Sequence, residues 1–292
     1  MKEIKGISIQ ESASLKNLNT YKIESNAKYL IRVETMNGLI NLLKYLKLNN
    51  IKYFLLGGGS NIVIDNYFDG AVIKLDGLNE IKIDGEVITC GAGTMMGALS
   101  CASIEHNLTG LEWAINIPGT VGGSIVGNAG AYNKEIFDDL KSIKVLDENL
   151  NIKEIAKKDI KHSYRHTELK EKNWIVIEAT FELERGNKEE SLALIHDRKE
   201  RRMNTQPLDM PSAGSVFRNP DNDHAGRLIE AAGLKGKKIG GAMVSEKHAN
   251  FIVNAGNATS EDVKNLIELV QRQVKEKFNV DLVLEQEIID WK

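Results

Sequence analysis

Two glycine-rich stretches constrain the fold of this chain more than any other feature. They lie well apart and have the sequences Gly57-Gly58-Gly59-Ser60-Asn61 and Pro118-Gly119-Thr120-Val121-Gly122-Gly123. Each offers a row of backbone N–H groups with almost no side chain in the way, so a phosphate can reach the main chain. A third short glycine turn, Gly91-Ala92-Gly93, lies between them. The three turns together predict a long ligand that contains a pyrophosphate.

The first stretch follows a short apolar segment, which is also the order found in dinucleotide-binding folds. The Rossmann fingerprint needs a third glycine three positions after Gly59, where this chain has Ile62. The chain contains no P-loop sequence either. We therefore expect neither of these nucleotide-binding folds.

Composition and charge exclude several classes of protein. The 292 residues carry a net charge of −3, so we expect no nucleic-acid partner. The N-terminus lacks the apolar region of a signal peptide, and no apolar run approaches the roughly 18 residues that a membrane helix needs. We expect a cytoplasmic monomer without a membrane partner.

The cysteines and histidines do not indicate a metal site. Cys90 and Cys101 fit neither a metal spacing nor a disulfide framework, so we predict two buried or half-buried thiols. His162 and His166 are four residues apart, but their segment has no helical pattern and no third ligand is near. We predict that the chain holds no metal.

Apolar periodicity predicts alternating helices and strands in the first part of the chain. Leucines at helical spacing predict a helix over 35–49. Further elements are expected as short strands at 53–56, 71–75, 81–83 and 87–90, a helix at 94–107, and strands between 142 and 184. Strict alternation over 174–183 indicates a strand with one buried face.

A charged stretch over 184–190 ends this pattern and predicts a domain boundary, followed by a helix over 191–203. Thr259 and Ser260 give an N-cap signal before a long helix with an apolar stripe. A strand is expected over 282–291. Alternation there puts Glu285 and Glu287 on one face, opposite the leucines.

Two glycine-containing loops with proline, IPGTVGGSIVGNAGAY (117–132) and MPSAGSVFRNP (210–220), belong to a larger set of motifs. This set resembles the UDP-N-acetylenolpyruvoylglucosamine reductase family of bacterial flavoenzymes, which complete UDP-N-acetylmuramate in peptidoglycan synthesis. The other matching segments are LLGGGSN (55–61), YRHT (164–167), AGRLIEAAGLKG (225–236), VSEKHANFIVN (244–254) and LEQEI (284–288). They run in order through most of the chain, and together they are far more specific than one glycine loop.

The resemblance implies an α+β fold. Residues 1–187 would form an FAD-binding domain of the vanillyl-alcohol-oxidase (PCMH) type, with subdomains at about 1–75 and 76–187. Residues 188–292 would form an α+β substrate-binding domain. Few residues separate Thr167 from the strand at Trp174, so the chain resembles the shorter, second type of the family. The longer type has an insertion there, with a tyrosine that covers the substrate.

The resemblance also implies a reaction and its cofactors, FAD and NADPH. NADPH would reduce the flavin, and the flavin N5 would deliver a hydride to the β-carbon of the enolpyruvyl ether in UDP-N-acetylglucosamine-enolpyruvate. The product would be UDP-N-acetylmuramate. The partners of the chain would therefore be the UDP-sugar substrate and NADPH.

Hydride addition leaves negative charge on the α-carbon, so the site needs fixed stabilising groups and a proton donor. Arg165 can bind the substrate carboxylate through two hydrogen bonds. Ser215 can supply the proton, and Glu287 can assist as a partly protonated acid whose acidity is lowered by burial. These three residues match the catalytic motifs of the family. Only the motif separates Glu287 from Glu285.

The binding residues implied by the resemblance follow the motifs. FAD contacts are expected from both glycine loops, at Gly57, Gly58, Gly59, Ser60, Asn61, Gly119, Thr120, Gly122, Gly123, Asn128, Ala129 and Gly130. Substrate phosphates need cations in the C-terminal half. We predict Arg202 and Arg218, with Asn219 as a polar contact and Lys247 and His248 as weaker candidates. Asn116 and Gly127 depart from the family pattern near the expected flavin.

Two other functions stay open at this point. A flavin oxidase of the same fold would act on an alcohol or sugar, often with flavin attached to a histidine or cysteine, but neither glycine loop contains a histidine. A non-catalytic nucleotide sensor would keep the fold alone. The presence of Arg165, Ser215 and Glu287 together favours the reductase.

Overall fold

The computed structural model describes residues 1 and 3–291 of the chain. They divide into two compact units. Unit 1 comprises Met1–Glu11, Tyr29–Gly58 and Gly70–Lys199, and unit 2 comprises Ser12–Lys28, Gly59–Asp69 and Glu200–Lys292. The assignment of residues 1–187 to the cofactor and 188–292 to the substrate stays a prediction. The boundaries of the compact units differ from these predicted domain boundaries, because two N-terminal segments, Ser12–Lys28 and Gly59–Asp69, belong to the same unit as the C-terminal residues.

The described residues form seven α-helices and twenty strands. The helices are α1 (Met36–Leu48), α2 (Met96–Glu105), α3 (Val121–Gly127), α4 (Ile136–Asp139), α5 (Lys188–Thr205), α6 (Ala225–Ala231) and α7 (Ser260–Phe278). The strands are β1 (Ile7–Ser14), β2 (Asn26–Val33), β3 (Tyr53–Leu55), β4 (Ile62–Ile64), β5 (Tyr67–Lys74), β6 (Ile81–Asp84), β7 (Val87–Gly91), β8 (Leu108–Thr109), β9 (Gly130–Ala131), β10 (Lys134–Glu135), β11 (Leu140–Leu146), β12 (Ile152–Ala156), β13 (His162–Ser163), β14 (His166–Thr167), β15 (Ile175–Glu182), β16 (Glu184–Arg185), β17 (Lys238–Ile239), β18 (Ala242–Val244), β19 (Ile252–Asn254) and β20 (Glu287–Ile289).

Helix α1 forms where the leucine spacing predicts a helix. The Thr35 hydroxyl accepts a hydrogen bond from the N–H of Gly38 at 3.1 Å and caps its first turn. The buried face consists of leucines at helical spacing: Leu39, Leu42, Leu43 and Leu46. They share a core with Ile31 and Ile73, which belong to strands of a four-stranded sheet in the order β1-β2-β5-β3. Each fully buried leucine contributes about 1.5–3 kcal/mol to this packing.

A β-bulge shapes the five-stranded antiparallel sheet of unit 1, whose order is β12-β11-β15-β7-β6. In the central strand β15, Glu178 pairs with Lys144 and Val176 pairs with Val145. Ile177 between them is therefore an extra residue without a partner on β11. Such an insertion changes which face the following side chains occupy.

The bulge divides β15 between two hydrophobic cores of unit 1. Ile175 and the bulged residue Ile177 lie in the core that contains α1. After it, Ala179 and Phe181 lie in the second core, and Val176 is buried there as well. The predicted strand is confirmed, but the expected single buried face is wrong at the start of the strand.

The long helix α7 organises unit 2 and confirms the predicted N-cap. The Thr259 hydroxyl accepts from the N–H of Asp262 at 3.1 Å, and the Asp262 carboxylate accepts from the N–H of Thr259 at 2.9 Å. This reciprocal capping box satisfies two of the free amides at the helix start. The apolar stripe of the helix is buried against the antiparallel sheet β17-β18-β19: Val263, Leu266, Ile267, Val270 and Val274.

The C-terminal strand of unit 2 is shorter than expected. Alternation predicts a strand over 282–291, but the structure has only β20, which pairs in parallel with β4. The preceding residues make single contacts instead, such as the isolated bridge between Leu284 and Phe217. Backbone amides at 285 and 286 both point to the carbonyl oxygen of Val216. This shared acceptor is incompatible with a regular ladder, so the longer prediction is wrong.

No helix in the described part of the chain has the length and apolar character to cross a bilayer.

Candidate active site

The structure brings the two predicted glycine loops of unit 1 together. Gly57 and Gly58 follow β3, and the second loop leads into α3. A Cβ at Gly58 would overlap the carbonyl oxygen of Pro118 and lie 2.8 Å from Cα of Gly119, and a Cβ at Gly57 would lie 2.9 Å from the Thr120 hydroxyl. The loops therefore touch through positions where a side chain does not fit.

Four amides in these two loops have no protein acceptor. The backbone N–H groups of Gly57, Gly58, Gly119 and Thr120 donate to no atom of the described residues. Protein interiors rarely leave such donors unpaired, so the loops are ready to bind an anion. The residues fit the pyrophosphate of FAD, because this group is anionic and accepts hydrogen bonds from closely spaced amides.

The amides of Gly122 and Gly123 are used within the protein. Gly122 donates to the carbonyl oxygen of Ala92 at 2.9 Å, and Gly123 donates to the Thr120 hydroxyl at 3.4 Å. The third turn is likewise occupied, since Gly91 and Gly93 donate to backbone carbonyls at 3.0 and 2.8 Å. This turn supports the second loop, because the carbonyl oxygen of Ala92 accepts from Gly122.

Lys74, at the end of β5, is a further residue of this region. It is 8% exposed, and its Nζ donates to the carbonyl oxygen of Gly57 at 2.7 Å. Burial lowers the pKa of Lys74, and the carboxylate of Asp76 at 3.5 Å opposes that effect. The lysine holds the first glycine loop in place.

Arg165 lies in the turn of the hairpin formed by β13 and β14. Its guanidinium donates to the carbonyl oxygens of Asn128 at 3.3 Å and Gly130 at 2.6 Å. Its φ of 57° is in the left-handed region, which is unusual for arginine. The structure thus brings Arg165 to the predicted flavin residues 128–130. The strained turn indicates that the surrounding contacts determine its conformation.

Asn128 is hydrogen-bonded to two segments of unit 1, β10 and the hairpin that carries Arg165. It is fully buried and ends α3 with a φ of 45°. Its Nδ2 donates to Glu135 Oε2 at 2.9 Å and to the carbonyl oxygen of Ser163 at 2.8 Å. The amide therefore connects the end of α3 to the hairpin that carries Arg165.

In unit 2, Asn61 joins the first glycine loop to the C-terminal acids. Its Nδ2 donates to the carbonyl oxygen of Glu285 at 3.0 Å, and its own carbonyl oxygen accepts from the N–H of Glu287 at 2.9 Å. Gly59 accepts from the N–H of Thr20 at 2.9 Å. The Asn61 amide is thus used within the protein, and contacts of Gly59, Ser60 and Asn61 with FAD stay predictions.

Ser215 lies beside the segment that carries Glu285 and Glu287. The N–H of Glu285 donates to the carbonyl oxygen of Val216 at 2.9 Å, which places these segments next to each other. Ser215 is half-buried, whereas the side chain of Glu287 is exposed. The expected burial of Glu287 is therefore wrong, because β20 is a short strand paired on one side with β4.

The predicted substrate residues occupy separate places in unit 2. Arg202, in the last turn of α5, donates from Nε to Gln206 at 3.0 Å. The backbone N–H of Arg218 donates to the carbonyl oxygen of Val283 at 2.9 Å. The Asn219 side chain accepts from the N–H of Ala225 at 3.1 Å and so supports the start of α6.

A cavity of about 470 Å³ lies in the same unit. Its lining is mainly apolar and includes Lys247, whose N–H donates to the Ser245 hydroxyl at 3.1 Å. Other lining residues are Met203, Leu208, Met210 and Met243. Of the residues predicted to bind substrate, the lining includes the weaker candidate Lys247 and none of Arg202, Arg218 and Asn219.

The histidines and cysteines occupy ordinary structural places. His162 lies 3.9 Å from Glu135, and His166 lies 3.3 Å from Glu171. No cluster of three metal-ligating side chains occurs among the described residues. Cys90 is buried as expected, but Cys101 is exposed on α2, so that part of the prediction is wrong.

Four residues that support predicted site residues, one in unit 1 and three in unit 2, were not singled out from the sequence: Lys74, and Tyr21, Asn250 and Gln286. All four are polar and buried. Lys74 ends an apolar strand and Gln286 stands between two acids, so each interrupts a local pattern. Such an interruption is the available signal, because a polar residue is buried at a cost unless it is hydrogen-bonded.

Two family models match the chain. Residues 27–155 match the FAD binding domain, and residues 206–289 match the C-terminal domain of UDP-N-acetylenolpyruvoylglucosamine reductase. The order of these domains confirms the predicted fold class, an FAD-binding α+β domain followed by a second α+β domain.

Named relatives are similar over almost the whole chain. A UDP-N-acetylenolpyruvoylglucosamine reductase of Caldanaerobacter subterraneus is 46% identical over 279 residues, which cover 95% of this chain and 92% of that protein. One from Bacillus licheniformis is 41% identical, covering 100% and 97%. The crystal structure of UDP-N-acetylenolpyruvylglucosamine reductase from Thermus caldophilus matches with a TM-score of 0.82 and 32% identity, covering 97% of this chain and 99% of that one.

Proposed function

The chain belongs to the UDP-N-acetylenolpyruvoylglucosamine reductase family, and from this membership we infer that it is a flavoenzyme of peptidoglycan synthesis. It is an FAD-dependent oxidoreductase that reduces the enolpyruvyl ether of UDP-N-acetylglucosamine-enolpyruvate to UDP-N-acetylmuramate. The structural observation that carries this conclusion is the contact between the loops at Gly58 and Pro118, which contain four amides without a protein acceptor. Bound FAD supplies the hydride, and NADPH is the reductant for the flavin.

The amides of Gly57, Gly58, Gly119 and Thr120 hold the FAD pyrophosphate in this proposal. Contacts within the protein hold them in place, because the loops pack against each other and Lys74 holds the carbonyl of Gly57. A preorganised anion site binds without the cost of ordering a loop. The other predicted FAD residues, including Gly122, Gly123, Ala129 and Gly130, form the surface that surrounds the bound cofactor.

Arg165 binds the carboxylate of the enolpyruvyl group. Its guanidinium donates to two backbone carbonyls, so its positive charge has a defined position. When hydride reaches the β-carbon, negative charge develops at the α-carbon and spreads into this carboxylate. A positive group held in a fixed position stabilises this developing negative charge more than a mobile one does.

Ser215 donates the proton to the α-carbon. A serine hydroxyl is a weak acid, but the α-carbanion is a strong base, so the transfer runs downhill. Glu287 assists by hydrogen bonding. The support for both roles is the match of Arg165, Ser215 and Glu287 to the family motifs.

Arg202, Arg218 and Asn219 contact the substrate phosphates, and the protein acts on its UDP-sugar as a monomer without a nucleic-acid or membrane partner. The phosphate contacts are supported by the positive charge of Arg202 and Arg218. Because Asn219 also supports the start of α6, its substitution affects that helix start as well as the substrate contact.

The visible spectrum of the purified protein tests the function. We expect flavin absorbance that NADPH bleaches under anaerobic conditions and that UDP-N-acetylglucosamine-enolpyruvate restores. Oxygen consumption with an alcohol or sugar, together with indifference to the UDP-sugar, would instead indicate the oxidase. FAD binding without turnover of either kind would indicate a sensor.

A further inference from the structure

The backbone just before Ser215 is held by a buried glutamine. Gln286 is 3% exposed, and its Nε2 donates to the carbonyl oxygens of Ala213 at 3.0 Å and Gly214 at 3.2 Å. Both protons of this amide are directed at the two residues that precede the serine. A side-chain amide that makes two such bonds fixes the path of the backbone between them.

The backbone just after Ser215 is held by a buried asparagine. Asn250 is 4% exposed; its Nδ2 donates to the carbonyl oxygen of Phe217 at 2.8 Å, and its Oδ1 accepts from the N–H of Phe217 at 3.0 Å. Its own carbonyl oxygen accepts from the N–H of Val216 at 2.9 Å. Ser215 therefore lies between two amide side chains that satisfy the neighbouring peptide groups.

The orientation of the Gln286 amide is set by a tyrosine. Tyr21 is fully buried, and its hydroxyl donates to Gln286 Oε1 at 3.0 Å. The carbonyl oxygen of Tyr21 accepts from Asn254 Nδ2 at 2.9 Å. Rotation of the Gln286 amide by half a turn would place its oxygen against two carbonyl oxygens, so the hydroxyl stabilises the one useful orientation.

The loop at Ser215 has little regular structure to keep it in place. Ser215 pairs with Phe251 only as an isolated bridge. Gly214 has a φ of 74°, in the left-handed region that favours glycine, and a Cβ there would contact nothing. Backbone amides 285 and 286 hold the carbonyl oxygen of Val216 on the C-terminal side of the serine. On the N-terminal side, the carbonyl oxygens of Ala213 and Gly214 are held by the Gln286 amide.

We propose that Gln286, oriented by Tyr21, is a positioning residue that aims the Ser215 hydroxyl for proton transfer. This inference rests on the proposed function, in which Ser215 donates the proton. Gln286 contacts the backbone on the N-terminal side of the serine and acts through it, because displacement of a donor by about 1 Å can cost about 10²-fold in rate.

Gln286→Glu is the informative change, because it keeps the size of the side chain and alters its donors. The introduced carboxyl group can still accept from Tyr21. When protonated it donates one hydrogen bond toward Ala213 and Gly214, and when ionised it donates none. We expect the rate of flavin reoxidation by UDP-N-acetylglucosamine-enolpyruvate in the holoenzyme, measured by stopped flow, to fall about 10²-fold at high pH. The deficit should shrink as pH is lowered.

Gln271→Glu is the matched control. Gln271 also donates from Nε2 to a backbone carbonyl in unit 2, that of Leu282 at 2.8 Å, which lies outside the segment 213–217. We expect the control to reoxidise at the wild-type rate at every pH. Flavin reduction by NADPH should be unchanged in both variants, and circular dichroism at each pH checks that the proteins are folded.

Tyr21→Phe keeps the inference testable if the glutamate variant does not fold. It removes one hydrogen bond to Gln286, and we expect reoxidation to slow about two- to tenfold. Wild-type reoxidation in a folded Tyr21→Phe or Gln286→Glu protein would overturn the positioning role. If Ser215→Ala itself reoxidises normally, the proton-donor role fails, which is a different result from a normal Gln286→Glu beside a slow Ser215→Ala.

Discussion

Gly58 and Pro118 lie so close that a Cβ on the glycine would overlap the proline carbonyl oxygen. This contact joins two loops that are far apart in the sequence and places their acceptor-free amides in one region of unit 1. The absence of a side chain at position 58 is therefore needed for the approach of another loop as much as for a cofactor.

We predict that Gly58→Ala separates the loops. Overpacking of this kind costs about 1–3 kcal/mol of unfolding free energy, and FAD affinity should fall because the amides lose their common direction. Gly127→Ala is the control for the protein without FAD, since a Cβ there meets nothing within 4 Å. Denaturant unfolding of both apoproteins and FAD titration check the prediction. Equal stability of the two variants would contradict it.

Arg165→Lys should weaken catalysis more than it weakens folding. Lysine keeps the charge but cannot donate in a fork to the carbonyl oxygens of Asn128 and Gly130 while it binds a carboxylate. Loss of a charged hydrogen bond worth about 1.5–3 kcal/mol corresponds to roughly ten- to a hundredfold in kcat/KM for the UDP-sugar. Steady-state kinetics and a thermal melt measure the two effects. An unchanged kcat/KM would remove Arg165 from the substrate carboxylate.

Local patterns in the sequence were sufficient for the elements that have their own periodicity. The helix at 36–48 follows from leucine spacing, and the helix at 260–278 follows from its apolar stripe and from Thr259 at its N-cap. The failures come from tertiary contacts. The strand at 282–291 is interrupted because two successive amides share the carbonyl oxygen of Val216, a residue far away in the sequence.

The residues of the candidate site also fall into two groups, those that local motifs indicate and those that depend on tertiary contacts. Motifs led to the predictions of Arg165, Ser215 and the glycine loops, because these residue types are needed for chemistry or close approach. The residues that hold them were not found. Gln286 and Asn250 act on backbone atoms of other segments. Their partners have no side-chain signature, so a single sequence contains nothing that pairs them.

Ser215→Ala should separate the two half-reactions. If the hydroxyl only donates a proton, flavin reduction by NADPH stays at the wild-type rate and reoxidation by the UDP-sugar slows by roughly 10²–10⁴. Anaerobic stopped-flow absorbance measures each step independently. Asn219→Ala serves as a comparison in the same loop, where we expect weaker substrate binding instead of slower proton transfer. Equal slowing of both half-reactions in Ser215→Ala would argue against the donor role.

The stability of the protein should depend on pH through His248. Burial holds the pKa of this imidazole below its ordinary value, with Lys235 acting in the same direction and Glu230 against it. The ring nitrogen Nδ1 also accepts from the N–H of Asn250 at 3.2 Å, which requires the unprotonated nitrogen. As pH falls below about 6.5, the unfolded chain therefore takes up a proton before the folded one. The free energy of unfolding then decreases, and the protein becomes less stable.

His248→Asn tests this dependence, because an amide oxygen can replace Nδ1 as acceptor without titrating. Urea unfolding between about pH 8 and pH 5 should show a smaller loss of stability in the variant than in the wild-type protein. Parallel curves for the two proteins would mean that other groups produce the acid sensitivity.

Glu285→Gln and Glu287→Gln together decide which acid takes part in the reaction. The two residues differ in environment: Glu285 is half-buried and donates its N–H to Val216 next to Ser215, whereas Glu287 is exposed and donates its N–H to Asn61. The family motif favours Glu287, so we expect Glu287→Gln to slow reoxidation by the UDP-sugar about 10²-fold or more and Glu285→Gln to change it little. Both substitutions preserve shape, and thermal melts should be similar because neither acid contributes a large buried surface. If Glu285→Gln is the slow variant, the catalytic acid is the one beside Val216, and proximity to Ser215 then outweighs the motif as the better guide to this site.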